Sequence, residues 1–351
     1  MVGAIGGLYI GVGHTIDIAG NYFTAHQAEA ATRSRPGPAL SRLPSGSLSL
    51  TPSEVVAANN VFGASDDVLL APLGAAEVTR VKINHGGTSL SLRVDFANGA
   101  RASFKPEQVW PQSDPRREVA AYRIDRLLGI GHVAPAKPIK LNLAAVIAAA
   151  DPQLRTYTAT RLADEAIARK GELRGMVAWW IPEIRDMWLD GLEMHDPEAM
   201  KRLVSYLQIG AQVPKQHKVL VEQLAVCIVY DVVIDNNDRF SGSNTKISPD
   251  KTTLYFMDNT LSFSRATHGH DMNLRPLLRM QVFPRGLVRK LRELTLESVT
   301  KALALGDDPV GLGPLLTAEE TRAIIARKDH VLEHVDRLIA QFGEDAVLAL
   351  P

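Results

Sequence analysis

The stretch at residues 78–106 limits the fold of this chain more than any other. It reads VTRVKINHGGTSLSLRVDFANGARASFKP. Three runs alternate apolar and polar residues, a pattern that sends successive side chains to opposite faces of a strand. His85-Gly86-Gly87 breaks the first run from the second. Ala97-Asn98-Gly99 breaks the second from the third, and Asn-Gly is a strong hairpin signal. Leu92, Val94 and Phe96 share one side, so one face is buried. The expectation is a three-stranded antiparallel meander ending in Lys105. After a loop with Pro106, Pro111 and Pro115, RREVAAYRIDRLL at 116–128 reads as an amphipathic helix. Val119, Ala120, Ile124, Leu127 and Leu128 form its apolar side, with Arg123 and Arg126 away from it. Gly129 and Gly131 stop it.

Downstream, residues 135–141 read as a strand, 144–150 as an Ala-rich helix or insertion, and 156–161 as another strand. The character changes at Gly171, where GELRGMVAWWIPEIRDM is dense in aromatic and apolar residues. Trp179, Trp180 and Trp188 are expected in the core and between lobes. Helices are expected at 197–207, 219–233, 286–305 and 317–342, the last opening on the capping box Thr317-Ala-Glu-Glu320. Strands come first and helices later. That order implies an α+β chain, with a small antiparallel-sheet N-lobe at 51–165 and a mostly helical C-lobe at 166–351. A short helix at 54–61 would open the N-lobe.

Residues 1–50 carry a Gly-rich apolar start and a Ser/Pro/Arg-rich linker. The start has no Lys or Arg before its apolar part and falls short of the roughly twenty apolar residues of a span. It reads either as an altered leader or as a short apolar anchor or helix packed on the body. A leader would make the chain exported or membrane-tethered, and membrane contact would run through this stretch; otherwise the chain is cytoplasmic. Lys+Arg and Asp+Glu both number 39, so net charge is zero. That excludes a nucleic-acid binder driven by bulk charge. The single cysteine, Cys227, excludes an intrachain disulfide framework and lies in the apolar run LAVCIVYDVV, which buries it.

The chemistry concentrates in residues 229–263, VYDVVIDNNDRFSGSNTKISPDKTTLYFMDNTLSF. An apolar run leads to a polar loop, a short strand and a second acidic turn. A carboxylate in a loop is stable in water or on a cation, and here two acidic turns are joined by the strand between them. The arrangement reads as a phosphotransfer site, with Asp238 handling an acceptor hydroxyl while Asn244 and Asp258 hold a divalent metal. A polar hairpin with Asn/Asp turns is the plain alternative.

Upstream, Lys105 ends a strand whose neighbour carries the Gly86-Gly87 turn, and Glu118 lies on the next helix. A phosphate-binding lysine needs something to hold its ammonium, and a helix glutamate does so by an ion pair. Lysines are mostly solvated and first-turn glutamates are favoured by the helix dipole, so neither residue is informative alone. Their order is: Gly turn, Lys, helix Glu, Asp loop, second Asp. Gly86 and Gly87 would let backbone approach a nucleotide phosphate, or simply make the hairpin turn. No Walker P-loop occurs, and H-R-D and D-F-G are absent. His268, His270 and Asp271 resemble a metal cluster but have no matching His or Cys elsewhere, and read as surface residues.

These residues resemble the secretory-pathway kinases typified by the Golgi casein kinase and the glycosaminoglycan xylosylkinase. The resemblance runs over roughly residues 78–305. It is carried by Gly86-Gly87-Thr88 through Lys105-Pro106, by the helix from Glu118, by Gly175 to Pro182, by the D-x-x-x-x-N-x-D-R loop from Asp231 to Arg239, and by Met257-Asp258-Asn259. It implies a bilobal protein-kinase-like fold using ATP and Mn²⁺ or Mg²⁺, and a protein or glycan acceptor. It implies further that Lys105 contacts ATP phosphates, Glu118 orients Lys105 or the metal, Asp238 is the catalytic base and Asp258 a metal ligand. The sequence departs from the pattern at Asp235 (Gly before Asn), Phe240 (His after Asp-Arg) and Thr260 (Gly of D-N-G). Asn244 stands one residue further from Asp238 than is usual, and the animal relatives' disulfides cannot form. A nucleotide-binding pseudokinase scaffold and a lipid or small-molecule kinase of the same fold are the alternatives.

Overall fold

The computed structural model describes residues 60–84, 89–240 and 244–351. The apolar start, the linker and most of the helix expected at 54–61 lie outside the described residues; Asn60 and Val61, its end, form a turn. Among the described residues no helix is long and apolar enough to cross a membrane.

A short helix α1 (Asp66–Leu70) leads into the expected meander, β1 (Val78–Ile83), β2 (Leu92–Phe96) and β3 (Arg101–Pro106). Alternation sets the register. Leu92, Val94 and Phe96 are buried, and Leu92 faces Phe104 while Val94 faces Ala102. Asn98 and Gly99 make the tight turn, with Gly99 at φ +82° and Asn98 Oδ1 accepting from Ala100 N. Helix α2 (Pro115–Leu127) follows, capped by Asp114 with proline in its first turn. Arg126, expected away from the body, is instead tucked against Asp66, its Nε 2.7 Å from that carboxylate.

Next come β4 (Ala136–Asn142), α3 (Leu143–Ala148), α4 (Arg155–Glu165), β5 (Ala168–Arg169) and β6 (Glu172–Trp179). The strand expected at 156–161 is therefore helix. Its β-branched and aromatic residues mimic a strand, but the buried ones, Thr158 and Leu162, stand four apart on one helix face. The sheet order is β1-β2-β3-β6-β4, so β6 is a central strand and the sheet extends past residue 165. Gly175 permits this. A Cβ there would sit 2.2 Å from the Lys105 carbonyl oxygen and 2.7 Å from Pro106 Cα. This sheet buries one core, built on residues such as Val81, Val94, Phe104, Leu162 and Val177.

The remainder holds short strands β7 (Arg185–Asp186), β8 (Trp188–Leu189) and β9 (Leu192–Glu193), then α5 (Pro197–Tyr206) and α6 (Lys218–Ile234). Strands β10 (Thr245–Ile247) and β11 (Leu254–Phe256) pair with each other, and β10 also pairs with β7. Helices α7 (Asp271–Leu277), α8 (Arg285–Glu293), α9 (Leu296–Leu303), α10 (Ala318–Phe342) and α11 (Glu344–Val347) complete the chain. The single helix expected at 286–305 is broken at Leu294 and Thr295, because Thr295 forms a new capping box with Ser298. Helix α6 is apolar almost all round and lies at the centre of the second core. Cys227 is buried within it, as expected. Val119, Ala120 and Ile124 of α2 join this core, and Tyr230 Oη donates to Ala121 O at 2.7 Å. Trp188 is not core: it is 51% exposed.

Gly175→Ala should destabilise the protein by about 1–3 kcal/mol, the usual cost of overpacking. The check is a lower urea midpoint at unchanged m-value.

Candidate active site

Strand β3 and helix α2 bring Lys105 and Glu118 together. Both are buried, with Lys105 Nζ 2.6 Å from Glu118 Oε1. The same ammonium lies 2.9 Å from Asp258 Oδ1, in the second acidic turn. Burial opposes the charge on Lys105, but Asp258 and Glu118 together outweigh it and hold the ammonium's pKa above its ordinary value. Burial likewise opposes the Asp258 carboxylate; Lys105 and hydrogen bonds from Thr260 outweigh it and bring its pKa down to about 2. The sheet thus delivers a cation to a place where two carboxylates, 140 residues apart in sequence (258 − 118), can meet it.

The loop after α6 is held by a buried ion pair. Asp231 lies inside the apolar helix, and Arg239 folds back on it with Nε 3.1 Å from Oδ2 and Nη2 3.2 Å from Oδ1. Burial disfavours the guanidinium charge, yet the contact with Asp231 keeps it protonated, its pKa above the ordinary value. Arg239 also donates to Met257 O and, at 2.7 Å, to Asn259 Oδ1. Asn259 Nδ2 in turn reaches Glu118 Oε2 at 3.2 Å. Asn236 joins the two acidic turns: its Oδ1 accepts from Asp238 N at 3.1 Å, and its Nδ2 donates to Asp258 O at 3.1 Å. Asp238 is half-buried, and Asn244 Nδ2 donates to its Oδ2 at 2.7 Å.

Asp235, the C-cap of α6, adopts φ +58° and ψ +48°, a left-handed conformation that favours glycine. Its carboxylate is fully buried and accepts from Ser264 Oγ, from His270 N and Nδ1, each at 2.8 Å, and from Asn273 Nδ2 at 3.1 Å. Burial would raise its pKa; these bonds outweigh burial and hold it below the ordinary 3.8. Arg327 of α10 packs beside it and donates to Val233, Ser264 and Ala266 carbonyls. Burial draws the Arg327 pKa down to about 10. His270 is thus a structural partner of Asp235, while His268 stacks on His330 with ring centroids 4.4 Å apart.

Lys105, Glu118 and Asp258 are in direct contact, and Asp238 and Asn244 pair with each other one residue removed, through Asn236. Gly86 and Gly87 lie outside the described residues. Gln108, just past β3, holds Leu90: its Oε1 accepts from Leu90 N at 2.8 Å and its Nε2 donates to Leu90 O at 3.1 Å. No group of three or more His, Cys, Asp or Glu side chains among the described residues gathers at one point. Carboxylate and amide oxygens in ones and twos are what a hard cation shared with substrate phosphates requires. The roles of Asp231, Asn236, Arg239 and Asn259 were not assigned from the sequence; the D-x-x-x-x-N-x-D-R spacing carried three of them.

The sheet, the helix docked across its strand-end lysine, and the acidic turns of the helical lobe define a protein-kinase-like fold. Solved structures agree: the Golgi casein kinase with Mn/ADP bound matches with TM-score 0.62 at 20% identity, over 81% of this chain and 78% of that one. The structure of hydra Fam20 with sugar matches with TM-score 0.59 at 18% identity, over 79% of this chain and 90% of that one. The family model described as "Golgi casein kinase, C-terminal, Fam20" matches residues 206–347. The human extracellular serine/threonine protein kinase FAM20C is 23% identical over 80% of this chain, which spans 56% of that protein's length. The family resemblance read from the sequence therefore holds.

Arg239→Met should cost about 3–5 kcal/mol, because it leaves Asp231 buried and unpaired. Urea unfolding at pH 7 measures this, and adding Asp231→Leu should recover a large part of the loss. Asp235 has a folded pKa below its unfolded one, so its contribution is present above about pH 4 and is lost as pH falls through the folded pKa. Asp235→Asn should lower Tm at pH 7 and flatten the decline of Tm as pH falls below about 4.

Proposed function

We propose that this chain is an ATP-dependent kinase that transfers the γ-phosphate to a hydroxyl of a protein Ser/Thr or glycan acceptor, assisted by Mn²⁺ or Mg²⁺. The observation that carries the reading is the Lys105 ammonium held between Glu118 and Asp258, at 2.6 and 2.9 Å. The relatives' names support it: one is a serine/threonine protein kinase, and another structure holds Mn and ADP.

In this reading Glu118 fixes Lys105, and Lys105 neutralises charge on the nucleotide phosphates. Asp258 and Asn244 are the metal-holding residues, their oxygens matching a hard cation. When bound, a cation there would offset negative charge on the nucleotide phosphates. Asp238 aligns the acceptor hydroxyl and accepts its proton. Asn236 and Arg239 fix the loop that carries Asp238 relative to the turn that carries Asp258. Catalysis is then positioning plus charge stabilisation. Export of the chain is part of the proposal, in keeping with the human relative's extracellular name. Membrane contact through residues 1–13 has no support: they lie outside the described residues.

Purified protein with radiolabelled ATP, Mn²⁺ and panels of protein and glycan acceptors tests the reading. Asp238→Ala should lower transfer by roughly 10²–10⁴-fold while a nucleotide-dependent melting shift persists. Asp258→Ala should lose that shift. Unchanged turnover in either variant would count against the assignment. A melting shift in the unaltered chain with no transfer to any acceptor would favour the pseudokinase scaffold.

A further inference from the structure

The second acidic turn holds a hydroxyl that the proposed mechanism does not use. Thr260, two residues past Asp258, is 5% exposed, and its Oγ1 lies 2.8 Å from Asp258 Oδ1. That oxygen also accepts Lys105 Nζ. The Thr260 backbone amide bonds the same carboxylate. Its carbonyl accepts from Arg117 Nη1 at 3.4 Å, and Arg117 precedes Glu118 on α2. Arg117 also reaches Glu320 of α10 at 3.4 Å. Thr260 is thus fixed at its carbonyl while its hydroxyl and amide face Asp258.

Asp258 needs such a hold. Its backbone sits at φ +53°, and its side chain is 38% exposed. Its other side-chain partner among the described residues is Lys105, which also serves Glu118. A phosphate group arriving at the ammonium competes with Asp258 for it. Thr260, which carries no charge, is then left holding Asp258.

We propose that Thr260 is a positioning residue whose hydroxyl keeps the Asp258 carboxylate in its metal-ligating orientation when Lys105 is claimed by nucleotide phosphate. This inference rests on the kinase reading of the site. A glycine at 260 would keep the amide and lose the hydroxyl.

The experiment is calorimetric titration of the full chain with Mn²⁺·ADP, and with ADP alone under chelator, on the unaltered protein and on Thr260→Val, Thr260→Ser, Thr260→Gly and Asp258→Ala. Loss of one hydrogen bond to a charged group corresponds to roughly 10- to 100-fold in affinity. Thr260→Val and Thr260→Gly should weaken Mn²⁺·ADP by about that factor, Thr260→Ser should stay within a few-fold of the unaltered protein, and ADP alone should bind equally to the unaltered protein and the three Thr260 variants. Equal Mn²⁺·ADP affinity in Thr260→Val and the unaltered chain overturns the proposal, as does a serine variant as weak as the valine one. Equal weakening of ADP alone also overturns it, since that marks a general structural role. If Thr260→Val does not fold, Thr260→Gly decides by the same comparison. Asp258→Ala separates the two levels: if it binds Mn²⁺·ADP normally the kinase reading itself fails, whereas loss there with no effect of Thr260→Val sinks only this inference.

Discussion

The buried pair between Asp231 and Arg239 is the constraint from which the site geometry follows. Helix α6 is apolar almost all round, so a carboxylate inside it must find a cation. The cation comes from the same chain eight residues on (239 − 231), which forces the loop to turn back across the helix end. A guanidinium has more donors than one carboxylate can accept. The spare ones bind Met257 O and Asn259 Oδ1, on either side of Asp258. Satisfying a single arginine therefore places the first acidic turn against the second. Neither turn could shift alone without leaving a buried polar group unpaired, which is costly.

The same logic crosses into the sheet. Asn259 passes from Arg239 to Glu118, Glu118 holds Lys105, and Lys105 returns to Asp258. Asn236 closes a second path between the turns. Such networks are stiff when every member is partnered, because low polarity strengthens each bond and penalises each loss. Helix α2 is the structural hinge of the arrangement. Its apolar residues join the core built around α6, its glutamate meets the sheet's lysine, and Gly175 lets β6 lie close enough to β3 to fix the end of the strand that bears that lysine.

What the sequence made legible was whatever its periodicity or order encodes. Strict alternation in β2 fixed which face is buried, and Thr317 with Glu320 marked the start of α10. The order of Lys105, Glu118, Asp238 and Asp258 raised the expectation of one site, and the structure brings Lys105 into contact with Glu118 and Asp258. The misreadings have physical causes. Residues 156–161 carry strand-favouring side chains, but burial of Thr158 and Leu162 follows a helical period, and tertiary packing overrides propensity. The break after α8 hid because its capping box uses Ser298 in place of Glu or Gln. Asp231 was masked by the apolar run around it. Its role appears only once Arg239 is seen folded onto it.

Asp235 shows how a strained backbone position can be offset within the same structure. Left-handed backbone at a non-glycine residue costs roughly 1–2 kcal/mol. A glycine there would avoid that cost and offer no side chain. The aspartate instead accepts bonds from Ser264, His270 and Asn273, next to Arg327 of α10. Gly269 makes room for it, since a Cβ there would lie 2.9 Å from Asp235 Oδ1. The loop bearing Asp238 is therefore anchored twice. Asp235 ties its start to α7 and α10, and Arg239 ties its far side to α6. Both anchors are buried, while Asp238 between them is half-buried and reachable. Rigid, dry anchors on each side of an accessible carboxylate are what the proposed positioning role of Asp238 requires of its loop, because a group left free to meet a substrate cannot also hold the backbone.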